Sequence, residues 1–495
     1  MAAGPVDRAG ADTGDPMTQA QRTFDVVVIG GGAVGENAAD RASRTGLDVA
    51  LVEGDLVGGE CSYWACMPSK VLLRPDAARD AARRTPGVAD PGDLDVAAVL
   101  ARRDEITHHW DDAPQADWVA SAGLTLLRGH ARFTGPRRLV VEPRDDETAL
   151  EVEARHAVVV ATGSLPTLPP VDGLAAARPW TSRDATAARH VPARLAVLGG
   201  GVVGCELATA FASLGSDVTV LVRGERLLAA AEPFAGEAVL ASLRARGVRV
   251  VLGARVRRVH RDDDGVHVAL DDEVVTADEL LVATGRHPRT RDLGLETIGL
   301  EPGAPLDVDD ALAVRGVPWL FAVGDVTGRT GTTHQGKYDA RVAGDVVAAR
   351  FGPDEAARAA EATAGPWSRY RASADHAAVP QVVFTQPEVA WVGLTERAAR
   401  DAGLDVRVVA YDLANLAGAS VVSPDYAGRA QLVLDTARDD VVVGATFVGP
   451  DAAEMLHAAT VAVVGELPLA RLWHAVPSYP TLSEVWLRFA ETAGL

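Results

Sequence analysis

The sequence is poor in the residues that build secreted scaffolds, membrane anchors and nucleic-acid grips. Only three of its 495 residues are cysteine, too few for the disulfide framework of an extracellular domain. No uninterrupted apolar run approaches the roughly 20 residues that cross a bilayer, so no membrane partner is expected. Basic residues are outnumbered, 48 Lys and Arg against 68 Asp and Glu, which leaves a formal charge of -20. Such a surface has little with which to displace counterions from a polyanion, and a nucleic-acid partner is not expected either. The stretch Met1 to Arg22 lacks the apolar centre of a signal peptide. It is rich in Ala, Gly, Asp and Pro without periodicity and reads as a disordered tail, with Met17 an alternative start. Together these absences point to a cytoplasmic protein that handles small molecules.

What is present is organised. The length predicts about three domains, each large enough to enclose a ligand. From Phe24 to Glu53 an apolar strand, a glycine turn, an amphipathic helix and a second apolar strand ending in an acid form a βαβ pattern. Gly30, Gly32 and Gly35 take the places where the turn is tight, where backbone approaches a pyrophosphate and where helix packs on strand. Glu53 stands where a ribose hydroxyl needs an acceptor. The arrangement recurs with Gly199, Gly201 and Gly204, so two dinucleotides are implied. In the second copy the strand ends at Val222 and Arg223 without an acid. Arg223 and Arg226 are then either partners for a ribose 2'-phosphate, which favours NADPH over NADH, or solvated surface arginines.

Between the copies stands Gly58-Gly59-Glu60-Cys61-Ser62-Tyr63-Trp64-Ala65-Cys66-Met67-Pro68-Ser69-Lys70. Neither a second cysteine pair nor a spaced histidine pair accompanies it, so a structural zinc site is not expected. Two thiols this close at a helix start suit dithiol redox chemistry, the other reading being buried free cysteines.

This segment resembles the redox-active signature of the pyridine nucleotide-disulfide oxidoreductases, a family that includes lipoamide dehydrogenase, glutathione reductase and mercuric reductase. The resemblance extends to ATGS at Ala161–Ser164, ATGR at Ala283–Arg286, VGDVTG, THQGKYDAR and VVFTQPEVAWVG. It implies an α/β fold with two Rossmann-like dinucleotide-binding domains, for FAD and NAD(P), and a C-terminal α+β dimerisation domain. The chain would divide into a tail (1–22), an FAD-binding domain in two parts (23–165 and 291–351), an NAD(P)-binding domain (166–290), a linker or surface helix (352–375) and the dimerisation domain (376–495). Gly30, Gly32, Gly35, Glu53, Gly59, Ala131, Thr162, Gly163, Asp325 and Thr333 would hold FAD. Gly199, Gly201, Gly204, Arg223, Arg226 and Gly285 would hold NADPH, with NADH possible. Lys70 would lie beside the flavin, paired with Glu206. Cys66 would be the flavin-side sulfur and Cys61 the one that exchanges with substrate, while Cys205 reads as helix packing.

The pattern breaks near the C-terminus. Members that act on disulfides carry a histidine there, oriented by a glutamate, whereas here Tyr479 takes its place and Glu484 remains. A phenol, ionising at about pH 10 in water, is a poor base but can donate a proton or a hydrogen bond. His474 beside Trp473 reads as packing or surface. Three functions therefore stay open: reduction of a small-molecule or protein disulfide by a homodimer, which the intact pair Cys61 and Cys66 favours; electron transfer to quinones, metal ions or another nucleotide, which Tyr479 favours; and a non-enzymatic redox sensor.

Overall fold

The computed structural model describes residues 21–144 and 148–495. Of the expected N-terminal tail, residues 1–20 lie outside the described residues, whereas Gln21 and Arg22 already belong to the first strand and pair with Glu151 and Val152. That strand, β1 (Gln21–Ile29), leads through helix α1 (Ala33–Ser43) into β2 (Val49–Glu53). The redox segment follows as α2 (Gly59–Tyr63) and α3 (Cys66–Arg84). Strands β3 (Thr125–Arg128), β4 (His130–Gly135), β5 (Arg138–Glu142) and β6 (Leu150–Val160) complete a sheet of order β3-β2-β1-β6-β5-β4, extended by Leu320–Ala322 beside β6. β1, β2, β3 and β6 run parallel, and the inner runs Val26–Ile29, Val49–Val52 and Ala157–Val160 are continuously apolar and buried, as expected of strands covered on both faces.

A second parallel sheet joins Arg249–Leu252, Asp217–Val222, Arg194–Leu198 and Glu279–Val282 in that order. The helix Val202–Ser213 crosses from Arg194–Leu198 to Asp217–Val222, as α1 crosses from β1 to β2 in the first sheet. Beside it lies a three-stranded antiparallel sheet. The C-terminal part is a five-stranded antiparallel sheet backed by the helices Ala452–Val464 and Val485–Thr492. The architecture is thus two Rossmann-like units and an α+β unit, each around its own apolar cluster. The stretch 352–375 carries the helix Glu355–Ala362 and is tied to the first unit by Glu361, which accepts from Arg350 and Arg371.

The glycines explain why both turns can close. A Cβ on Gly35 would lie 1.8 Å from the Gly30 carbonyl oxygen, and one on Gly204 2.2 Å from that of Gly199. Gly30 and Gly199 sit at φ +104° and +126°, with a Cβ facing the carbonyls of Ala161 and Ala283 at 2.4 and 2.3 Å. Backbone cannot yield as a flexible side chain can, so Gly35→Ala should lower the melting temperature by several degrees and weaken cofactor retention. Gly135→Ala, where nothing lies within 4 Å of the added atom, should change stability by less than about 0.5 kcal/mol. Thermal melts of both variants check this, and equal melting temperatures would refute the packing argument.

Candidate active site

Two helices of 19 residues each begin at the same place: α3 at Cys66 and the helix Thr333–Phe351 at Thr333. Their unpaired amides and dipoles favour negative charge there. The Cys66 sulfur lies 3.2 Å from the Thr333 hydroxyl. A hydrogen bond from the Cys61 thiol, the Thr333 hydroxyl and the nearby Lys70 cation together outweigh burial and push Cys66 down to about 6. Cys61 moves the other way, because a proton kept on its sulfur serves the anion next to it and because it is itself buried. The pair therefore shares one proton between unequal sulfurs. Cys205 is fully buried and pushed up to about 12 by that burial, which makes it an inert packing residue.

Lys70, one turn after Cys66 on the same face of α3, donates to Glu206 Oε2 at 2.7 Å. Glu206 is only 3% exposed, and its other oxygen accepts from the Phe384 amide at 3.0 Å. The Lys70 ammonium also sits 4.9 Å from the centre of the Phe384 ring.

Beside the sulfurs runs a cleft lined by Gly30, Gly32, Glu53, Gly59, Cys61, Ala131, Thr162, Gly163, Asp325 and Thr333. Gly35 lies beneath it, holding α1 against the Gly30 carbonyl. Glu53 accepts from the amides of Gly31 and Asp55, both at 2.6 Å. Asp325 accepts from Ser164, whose hydroxyl in turn accepts from Arg286. A floor without side chains, an acid at the end of β2 and a second acid at the far end fit an adenine dinucleotide such as FAD. Lys70 lies outside that lining, on a groove it shares with Met67 and Phe384.

The second copy repeats this geometry with one change. A Cβ on Gly31 would meet the side chain of Glu53 at 3.0 Å, and one on Gly200 meets that of Val222 at 2.8 Å. Val222 is therefore the spatial counterpart of Glu53, and no carboxylate stands there. Gly201 and Gly285 have nothing within 4 Å of an added Cβ, which leaves open backbone for a ligand. Arg223 is exposed, Arg226 donates to the Ala229 carbonyl at 2.6 Å, and neither forms an ion pair among the described residues.

No hydrogen bond joins Tyr479 to Glu484 among the described residues. Tyr479 is 76% exposed, whereas Glu484 is 4% exposed, with one oxygen 3.6 Å from Arg488 and the other without a hydrogen-bond partner. Sequence reasoning also passed over Arg183, whose guanidinium stacks 3.6 Å over Trp64 and holds Asp55 and Glu60 at 3.0 and 3.1 Å. Its only signal was its distance from any motif, which is no signal. Phe384 lay within a recognised motif, but its role resides in a backbone amide that no motif encodes.

Known proteins resemble the chain over nearly its whole length. The family described as pyridine nucleotide-disulphide oxidoreductase matches residues 24–350, and its dimerisation domain matches residues 379–490. A mercuric reductase of Streptomyces lividans is 35% identical over 96% of this chain and 97% of its own. A dihydrolipoyl dehydrogenase of Halobacterium salinarum is 32% identical over 95% and 96%. Among solved structures, the copper(II) complex of the HOCl-induced flavoprotein disulfide reductase RclA from Escherichia coli superposes with a TM-score of 0.80 at 26% identity, covering 95% of this chain and 99% of that one.

A sulfur with these neighbours should be alkylated as the thiolate. In the reduced protein the iodoacetamide rate at Cys66 should fall as pH drops through about 6 and should be lost in Cys66→Ser. Thr333→Val should raise that midpoint. A wild-type midpoint near 8.5, the ordinary thiol value of about 8.5, would contradict the assignment.

Proposed function

The chain belongs to the pyridine nucleotide-disulphide oxidoreductase family, and on that footing we propose that it draws electrons from NADPH and delivers them through Cys61 and Cys66 to a disulfide-type acceptor. Enzymes of this family depend on FAD and take electrons from NAD(P)H, and this chain is an FAD-dependent oxidoreductase of that kind. The observation that carries the proposal is the setting of the pair: Cys66 stands at the start of two helices, 3.2 Å from the Thr333 hydroxyl and one turn before the Lys70–Glu206 ion pair, which favours the anion on Cys66 and the proton on Cys61.

Bound in the glycine cleft, FAD would accept hydride from the nicotinamide and pass an electron pair to the protein. Gly30, Gly32, Gly35, Glu53, Gly59, Ala131, Thr162, Gly163, Asp325 and Thr333 would hold it. On receiving two electrons and one proton, the Cys61–Cys66 disulfide becomes a thiol on Cys61 and a thiolate on Cys66. The Thr333 hydroxyl and Lys70 stabilise that thiolate, and Glu206 fixes Lys70. Cys61 is then the sulfur free to attack an acceptor, losing its proton as it does so.

Two observations favour a second reading in which metal ions or quinones are acceptors. Glu484 keeps an unpartnered oxygen where a histidine would be oriented, and mercuric reductases stand among the relatives. No helix among the described residues is long and apolar enough to cross a membrane. A homodimer is supported by the match to the dimerisation domain and by exposed apolar residues within it, Val461, Trp473 and Val476 among them. A partner would cover these and bring Tyr479 and Glu484 to the opposite cysteines.

Arg223 and Arg226 set the nucleotide preference. Hydrogen bonds to charged groups contribute about 1.5–3 kcal/mol each, so Arg223→Ala/Arg226→Ala should raise the NADPH KM at least roughly tenfold while leaving the NADH KM nearly unchanged. Equal kcat/KM for both nucleotides in the wild type would overturn the preference.

Tyr479 sets the acceptor. General acid-base catalysis typically supplies a factor of about 10² to 10⁴, so lipoamide and oxidised glutathione should turn over slowly and gain in Tyr479→His, while quinone reduction stays unchanged. If the wild type reduces either disulfide rapidly and Tyr479→His gains nothing, the role given to Tyr479 is wrong.

A further inference from the structure

The three-stranded sheet beside the second dinucleotide fold carries a side-chain cluster that the redox chemistry does not use. His260 and His267 stand directly opposite each other on the antiparallel strands Arg258–Asp262 and Gly265–Ala269. Residues so paired present their side chains on one face, and here the two imidazoles stack with centroids 4.5 Å apart and planes 15° from parallel. Asp262, two residues beyond His260, shares that exposed face, while Val259, Val266 and Val268 are buried on the other. The turn fixes the carboxylate, because the Asp264 amide donates to Asp262 Oδ1 at 3.0 Å.

The ring nitrogens and carboxylate oxygens converge. His267 Nε2 is 2.8 Å from Asp262 Oδ1, His260 Nε2 is 3.7 Å from Asp262 Oδ2, and one ligand atom from each residue lies within 4.8 Å of the others. Tetrahedral ligands at about 2.0–2.2 Å from an ion stand roughly 3.3 Å from one another, a spacing that small rotations about the imidazole side chains reach. A third strand supplies the outer support: His267 Nδ1 lies 3.1 Å from the hydroxyl of Thr276, its register partner. When Nε2 gives up its proton to bind an ion, Nδ1–H can donate to that hydroxyl and hold the ring.

We propose that His260, Asp262 and His267 form a surface site for a borderline divalent ion of the zinc or copper(II) class, separate from the redox cysteines. Two imidazoles and a carboxylate suit these ions, whereas soft ions select thiolates and magnesium or calcium select oxygen alone. Water completes the coordination, and Asp263 and Asp264 in the turn add negative field. A bound ion bridges the hairpin and replaces the His267–Asp262 hydrogen bond with two or three stronger bonds.

The test is a zinc titration by calorimetry of the oxidised holoenzyme, whose redox sulfurs are occupied in their disulfide, together with copper(II) electron paramagnetic resonance. One equivalent of zinc should bind. His260→Ala and His267→Ala should each weaken it about tenfold or more, with flavin content unchanged. The copper spectrum should show splitting from two nitrogens in the wild type and from one in each variant. Unchanged zinc affinity in His260→Ala and His267→Ala, or a wild-type copper spectrum without two nitrogens, would overturn the proposal, and the second readout holds even if a variant fails to fold.

Discussion

Glu206 is a carboxylate withdrawn from water and held by two donors from different parts of the chain, the Lys70 ammonium and the Phe384 amide. A charge buried in this way is costly unless its partners are in place, and removing one partner of such a pair costs about 3–5 kcal/mol. The interaction therefore acts as a constraint on assembly. It fixes the redox helix against the second Rossmann helix and against the C-terminal sheet at once. Arg246 repeats the connection at the surface, reaching Asp76 on α3 and Gln386 beside the sheet, both at 2.6 Å. Because Lys70 follows Cys66 by one helical turn, positioning the ammonium also positions a positive charge beside the sulfur.

The rest of the site follows from that placement. With α3 fixed, its first residue meets the first residue of the Thr333–Phe351 helix, and the two ends create one electropositive pocket for one sulfur. The two dinucleotide folds share the glycine turn but differ at the end of the strand that follows it. Both use the same backbone contacts at the turn, and Val222 stands in the second copy where Glu53 stands in the first. A protein that must hold two similar molecules in two similar clefts can keep them apart by such a change, since a buried acid accepts hydroxyls and rejects phosphate.

Much of this was legible in the sequence because it is local. Glycines at fixed offsets, the alternation of apolar strand and amphipathic helix, and two cysteines five apart are properties of one segment, and the βαβ reading of both copies follows from them. The pairing of Lys70 with Glu206, 136 residues away, came from family resemblance, since no periodicity links them. Contacts made by backbone or by ion pairs were not legible. The stretch 352–375 looks like a linker because its anchorage combines Glu361 between two arginines with scattered apolar residues such as Tyr370 and Ala372 rather than a periodic stripe. Arg183 was invisible for a similar reason: stacking on Trp64 is a property of the folded chain. Tyr479 and Glu484 show the converse, one exposed and the other buried: a spacing of five residues names a pair without saying what completes it.

In the proposed function the acceptor is decided near the C-terminus, where Glu484 keeps an unpartnered buried oxygen and Tyr479 an exposed phenol, but the internal pathway stands or falls on the cysteines. The direct measurement is an anaerobic titration of the holoenzyme with NADPH, followed by quantitative alkylation and peptide mapping. One equivalent of NADPH should convert Cys61 and Cys66 together from disulfide to two alkylatable thiols in each chain. A flavin that bleaches fully while both cysteines stay resistant to alkylation would contradict electron transfer through the pair.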